Sequence, residues 1–204
     1  MIAIVDYGVG NIFSLHSSFK YIGADAILTG DPKEISRADK IILPGVGAFK
    51  DAAAKLRDCG LSDIICKEAE NGKPMLGICL GMQMLLDKSY EYGEHKGLGL
   101  IGGNIKPIKD IIPADYKVPH IGWNAIKFPT GKPKNELFKY VNEGEHIYFV
   151  HSYHATDCEN IIATSEYGAE LTAAVARDNV YGTQFHPEKS GEVGLNILRA
   201  FCEI

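Results

Sequence analysis

The chain has 204 residues and a mass of 22.3 kDa, with 46% hydrophobic and 23% charged residues. That is the composition of a folded globular protein, and it excludes disordered, collagenous and fibrous classes. Its 21 basic and 26 acidic residues give a net charge of −5, so no overall basic field draws it to nucleic acid.

The opening Met-Ile-Ala-Ile-Val-Asp has no basic residue and reads as a first strand, Ile2 to Asp6, rather than an export signal. A glycine-rich turn follows, then a helix from about Asn11 to Tyr21. Short strands are expected at Ala26 to Leu28 and at Lys40 to Leu43, the second ending at Pro44-Gly45. Helical patterns run from Ala48 to Arg57 and from Leu61 to Glu70. Pro74 to Ile78 is a strand and Leu80 to Lys88 a helix. The uncharged apolar run from Pro74 to Leu86 falls short of the ~20 residues of a membrane span. Short strands alternating with helices imply βαβ crossovers and a mainly parallel sheet. Gly97 to Pro133, dense in Gly and Pro, reads as short strands and turns. Ile147–Val150, Ile161–Thr164, Ala173–Ala176 and Tyr181–Phe185 then follow one another as antiparallel hairpins do, and a helix from Val193 to Phe201 closes the chain. The expectation is one α/β domain over residues 1–204, with an antiparallel extension and no dividing linker.

Cys59, Cys66, Cys79, Cys158 and Cys202 form an odd, scattered set without a CxxC pair. A zinc knuckle or redox pair is not expected, and a reducing compartment with free thiols is. Only Cys79 has a setting for chemistry. Gly77-Ile78-Cys79-Leu80-Gly81 has the form of a nucleophile elbow, with a strand before it and a helix after it. The helix N-terminus favours a thiolate, and the backbone N–H of Leu80 can face a developing oxyanion. Alone, the motif also fits a small buried cysteine between packing glycines. His186-Pro187-Glu188 follows the strand at Tyr181 to Phe185. A thiol nucleophile needs a base, and the base needs an orienting acceptor. On an extended segment, His186 and Glu188 project to the same side. Pro44-Gly45-Val46-Gly47 offers a backbone that can approach a ligand closely, or simply a strand-to-helix turn.

Other patterns lead elsewhere. Gly97-Leu98-Gly99-Leu100-Ile101-Gly102 matches GxGxxG, but no clear strand precedes it and Gly103 and Pro107 follow where a helix should run. Gly8-Val9-Gly10 has Phe13 in place of a third glycine. His151 and His154 have a metal-like spacing without a third ligand nearby, and read as ordinary strand-end histidines.

PGVG at 44–47, GICLGMQ at 77–83 and HPE at 186–188, in that order, resemble the class I, or triad, glutamine amidotransferases, and the likeness extends over nearly the whole chain. It implies a flavodoxin-like α/β fold, mainly parallel, with no cofactor and no metal. It implies Cys79 as nucleophile on the carboxamide of L-glutamine, His186 as proton shuttle and Glu188 as the group that holds the imidazole. Backbone amides at Gly45, Val46, Gly47 and Leu80 would stabilise the oxyanion. Gln83, Glu91, Ser152 and Tyr153 would hold the amino-acid end of the substrate. DYGVGN at 6–11, KGLGL at 96–100, PHIGWN at 119–124, YFVHSY at 148–153 and HPEKS at 186–190 resemble the branch of that family that makes ammonia for imidazole glycerol phosphate synthesis in histidine biosynthesis. That branch implies a cytoplasmic heterodimer with a (β/α)₈-barrel cyclase subunit, met through Asn11, Trp123, Tyr148 and Lys189, with no nucleic-acid or membrane partner. Without the likeness, the lone Trp123 fits a core position equally well. His154 departs from the branch, which often carries an aromatic there. Three other readings compete: a glutaminase for anthranilate or GMP synthesis, a stand-alone cysteine hydrolase, and a non-catalytic binding module. The Trp123 segment and the lack of an attached synthase domain argue against the first, and the intact Cys79, His186 and Glu188 set against the last.

Overall fold

The computed structural model describes residues 1–204. The first half alternates strand and helix: β1 (Ile2–Val5), α1 (Ile12–Tyr21), β2 (Ala26–Thr29), α2 (Pro32–Arg37), β3 (Lys40–Gly45), α3 (Phe49–Asp58), α4 (Leu61–Glu70), β4 (Met75–Cys79) and α5 (Leu80–Leu85). Short strands then dominate: β5 (Lys88–Ser89), β6 (His95–Lys96), β7 (Asn104–Pro107), β8 (His120–Lys127), β9 (His146–His151), β10 (Tyr153–Thr156), β11 (Ile161–Glu166), β12 (Glu170–Arg177) and β13 (Val180–Thr183). Helix α6 (Gly191–Cys202) is the last element.

Nine strands form one sheet in the order β2-β1-β3-β4-β13-β12-β11-β8-β9. The first five are parallel, in flavodoxin-like order. The other four pair antiparallel, which is the expected extension. β13 joins the two halves, parallel to β4 on one side and antiparallel to β12 on the other. A smaller sheet, β10-β7-β5-β6, lies beside it.

The parallel strands are apolar throughout because both faces of the sheet are covered. Along β1, Ala3 and Val5 join Leu43 under α2, α3, α4 and α5. Ile2 and Ile4 face the other way, with Ile42, Leu15 and Phe19 of α1, and Ile197 and Phe201 of α6. The alternation of a strand thus supplies two cores from one run. All five cysteines are free. No helix is long and apolar enough to cross a membrane.

Four elements differ from the sequence expectation. Helix α2 was not anticipated; Asp31 caps it by accepting from the Lys33 N–H at 2.8 Å, and Pro32 occupies its first turn. Helix α5 ends at Leu85, not Lys88, and Lys88 instead pairs with Lys96 in the second sheet. The stretch between Gly97 and Pro133 contains a full eight-residue strand, β8. β10 follows β9 after one residue and crosses to the other sheet to pair with β7.

His154 lies inside β10, opposite Lys106, and is 5% exposed. Neither ring nitrogen has a hydrogen-bond partner. Burial, with Lys106 adding to it, pushes the imidazole down to about 4. The unfolded chain therefore takes up this proton near pH 6.5 and the folded chain only near pH 4, so stability is full above about pH 6.5 and falls as pH drops towards 4. The loss is on the order of 3 kcal/mol once the pH is below both values. His154→Phe is expected to flatten this acid limb and to raise the melting temperature at pH 5. Melting curves at pH 7, 5 and 4 check it; parallel curves for the two proteins would rule the effect out.

Candidate active site

β3, β4 and β13 are neighbouring parallel strands, so their C-terminal ends open on one rim of the sheet. Gly45 ends β3 and Cys79 ends β4. His186 follows β13 after Gln184 and Phe185. Three segments far apart in sequence thus meet at one place.

Cys79 has φ 55° and ψ −110°, between β4 and the first residue of α5. A non-glycine residue held there costs about 1–3 kcal/mol and persists only when its surroundings over-determine it. The residue is 8% exposed, with Sγ 3.9 Å from the Val150 carbonyl.

His186 Nδ1 lies 2.8 Å from Glu188 Oε1, with both side chains almost wholly buried. The contact does not arise from an extended segment, as the sequence suggested. Pro187–Lys189 form a single 3₁₀ turn that folds the carboxylate back under the ring. Ser190 Oγ donates to the His186 carbonyl at 2.7 Å and accepts from the Tyr148 N–H at 3.0 Å, so the turn is fastened to β9. Burial alone would lower the His186 pKa, but hydrogen bonding to Cys79 and Glu188, with their charges, outweighs it and pushes the imidazole up to about 9. Because the folded value lies above the unfolded one, this contribution to stability is full below about pH 6.5 and is lost as pH rises through about 9. Glu188→Gln is expected to weaken that alkaline loss, visible as flatter melting temperatures between pH 6.5 and 9. If Glu188 holds the ring and His186 carries the proton, turnover at this site should fall roughly two orders of magnitude less in Glu188→Gln than in His186→Ala, because a holding group is replaced in part while a proton carrier is not. Equal losses in the two variants would overturn those roles.

A cavity of about 360 Å³ opens over the thiol. Val46, Gly47, Leu80, Gln83, Glu91, Ser152, Tyr153, His186 and Lys189 all line it with Cys79. Gly45 lies beneath, close against Leu80 and Gly81. One carboxylate oxygen of Glu91 accepts the Phe49 N–H at the start of α3, at 2.5 Å. Gln83 Nε2 donates to the Tyr153 carbonyl at 3.3 Å and to Gln184 Oε1 at 2.9 Å. Burial pushes His151 down to about 3; this neutral ring sits with Nδ1 2.8 Å from the Tyr153 carbonyl and Nε2 3.0 Å from His120 Nδ1.

Asn11, expected among partner contacts, has its amide 3.4 Å from Glu188 Oε1. Trp123 is 52% exposed, so it does not fill the core. It faces Tyr148 across β8 and β9 with ring centroids 5.8 Å apart, and Lys189 Nζ lies 5.8 Å from the Tyr148 ring. Four residues of the site were not anticipated: Gln184, a wholly buried amide 3.7 Å from Cys79 Sγ, and Pro119, Val150 and His151, which line the cavity. The Gln184 signal was a polar residue interrupting an apolar run two positions before His186.

A larger groove of about 590 Å³ runs beside Lys127, Lys132 and Glu143. Its one thiol, Cys158, is pushed up by burial, and no histidine lines the groove. Gly97 to Gly102 passes from β6 to β7 without opening a helix.

The family model for glutamine amidotransferase class-I matches residues 3–203. Imidazole glycerol phosphate synthase subunit HisH of Geobacillus sp. (strain WCH70) is 47% identical over 209 residues, covering 100% of this chain and 97% of that protein. The protein of the same description from Wolinella succinogenes is 46% identical, covering 100% of both. A crystal structure described as a glutamine amidotransferase superposes with a TM-score of 0.76 at 19% identity, covering 100% of this chain and 98% of that one. This last likeness speaks for the fold.

Proposed function

The chain belongs to the glutamine amidotransferase class-I family, and from that premise we propose that it is the glutaminase subunit of imidazole glycerol phosphate synthase. It hydrolyses L-glutamine to glutamate and ammonia. Cys79 attacks the carboxamide carbon. His186 takes the thiol proton, gives it to the leaving ammonia and then draws a proton from the hydrolytic water, while Glu188 holds the ring. Amides of Leu80 and of Gly45 to Gly47 stabilise the tetrahedral oxyanion. Gln83, Glu91, Ser152 and Tyr153 hold the amino-acid end of glutamine. Gln83 suits this role because its NH₂ group is engaged by Tyr153 and Gln184, leaving its carboxamide oxygen for the ligand. The observation that carries the reading is the buried His186–Glu188 pair beside a strained cysteine thiol on one cavity.

The partner is a cyclase subunit with a (β/α)₈ barrel, in the cytoplasm. It uses the ammonia to form imidazole glycerol phosphate and the purine intermediate AICAR. Ammonia is a nucleophile only as NH₃, so delivery across a sealed interface avoids protonation in bulk water. Trp123, Tyr148 and Lys189, with Asn11 beside Glu188, form the face that meets the barrel. An exposed tryptophan and a half-buried tyrosine beside a cation are characteristic interface anchors. Glutamine hydrolysis measured with and without the barrel cyclase tests the reading. A chain serving another synthase would gain nothing from that partner.

Trp123→Ala is expected to weaken binding to the cyclase by about 2 kcal/mol, roughly 30-fold in Kd, with little change in melting temperature. Titration calorimetry and thermal melts decide it: a variant that melts far lower but binds normally would make Trp123 a packing residue.

A further inference from the structure

We propose that Gln184 is a further catalytic residue, whose side-chain amide donates a hydrogen bond to the reacting sulfur of Cys79. The inference rests on the reading of Cys79 as the nucleophile. Its geometry starts from a backbone atom that cannot be turned round. The Tyr153 carbonyl is an acceptor, so the group that Gln83 presents to it at 3.3 Å is its NH₂. The same Gln83 nitrogen lies 2.9 Å from the Gln184 carboxamide, which must therefore turn its oxygen towards Gln83. That leaves the Gln184 NH₂ facing Cys79 Sγ at 3.7 Å, within the reach of a hydrogen bond to sulfur. Reversing Gln83 sets two oxygens against each other, and reversing Gln184 alone sets two NH₂ groups against each other.

The sulfur lies between opposed influences. The Val150 carbonyl, 3.9 Å away, can accept from S–H and repels a thiolate. The Gln184 N–H does the reverse, since a donor favours the charged form of its acceptor. With Gln184 wholly buried and Gln83 6% exposed, water offers little competition for that bond. The amide therefore offsets the carbonyl and favours the sulfur that has passed its proton to His186.

Gln184→Met keeps the length of the side chain and removes the donor. Gln83 keeps the Tyr153 carbonyl as a partner, so its NH₂ is not orphaned and folding is expected to survive. In the full chain, the rate of Cys79 alkylation by iodoacetamide, followed site by site by mass spectrometry, should fall about tenfold at pH 7, and its pH profile should move up by about one unit. A role in packing alone would leave that profile unmoved while lowering the melting temperature. In the unsubstituted protein, the side-chain ¹⁵N–¹H signals of Gln184 should titrate with the same midpoint as the alkylation rate, a test that needs no variant to fold. An unmoved alkylation profile in folded Gln184→Met, or Gln184 signals that ignore the thiol's ionisation, overturns the proposal. Separately, alkylated Cys79 with undiminished glutamine turnover would overturn the nucleophile itself.

Discussion

Cys79→Ala is expected to lower glutamine-dependent synthesis by on the order of 10⁴-fold or more, while synthesis from added ammonium salts by the complex with the cyclase continues. The substitution removes only Sγ. The Cβ remains, so the backbone at φ 55° carries the same strain as before and the elbow keeps its shape. Sγ meets the Val150 carbonyl at 3.9 Å, the Gln184 amide at 3.7 Å and the His186 ring, and its removal takes away this one atom while leaving the surrounding backbone in place. The change therefore isolates the chemistry. Water held beside His186 is a poorer nucleophile than a thiolate, and the residual rate reflects binding and the oxyanion amides alone. The ammonium-driven reaction needs no thiol, only a correctly docked partner. The two assays, run on one preparation with a melting curve, separate a missing nucleophile from a collapsed fold. Retained glutamine turnover would overturn the elbow reading, and failure of both reactions would point to the interface.

The parallel half of the fold was legible because its strands are short apolar runs ended by strong punctuation. Pro44-Gly45 closes β3, Cys59-Gly60 separates α3 from α4, and Asn71-Gly72 precedes β4. Where the chain is buried on every side, periodicity carries no boundary. All six residues of α5 are buried, so nothing in the pattern says that the helix stops at Leu85. Helix α2 has a readable start at Asp31-Pro32, but its six residues bury only Ile35 and give no stripe to recognise. β8 alternates buried and exposed positions weakly, because its outer face carries Ile121 at 59% and Trp123 at 52% exposure.

The site shows the same division. Cys79, His186 and Glu188 stand in motifs whose residue types already suggest chemistry. The manner of their meeting was not legible: the 3₁₀ turn at Pro187–Lys189, and its fastening to Tyr148 through Ser190, depend on β9 lying alongside. Gln184 showed only as a polar residue in an apolar run, and its role was not legible for a related reason. Its role needs Gln83, 101 positions away in sequence, to turn its amide.

Gly81→Ala is expected to prevent folding, although it adds one methyl group and leaves every charge in place. A Cβ at Gly81 would lie 1.9 Å from the Leu43 carbonyl oxygen and 2.9 Å from its carbon. Both atoms belong to the backbone of β3, which is pinned between β1 and β4 and cannot withdraw. Nor can α5 retreat, because the same contact is built from three glycines. A Cβ at Gly45 would lie 2.7 Å from the Gly81 nitrogen, and one at Gly77 2.8 Å from the Gly81 carbonyl. Overpacking usually costs about 1–3 kcal/mol because side chains yield. Here only backbone is available to yield, so the cost should exceed about 4 kcal/mol, a large share of the roughly 5–15 kcal/mol by which an ordinary domain is stable. Gly102→Ala is the control: its Cβ would meet nothing nearer than Asp87 Oδ2 at 3.9 Å, and its φ lies outside the left-handed region. The control should melt within a few degrees of the parent, while Gly81→Ala should be insoluble or lack a cooperative transition. A soluble Gly81→Ala protein that melts like the control would mean that α5 can slide on β3, and that the strained Cys79 backbone is not held in place by this contact.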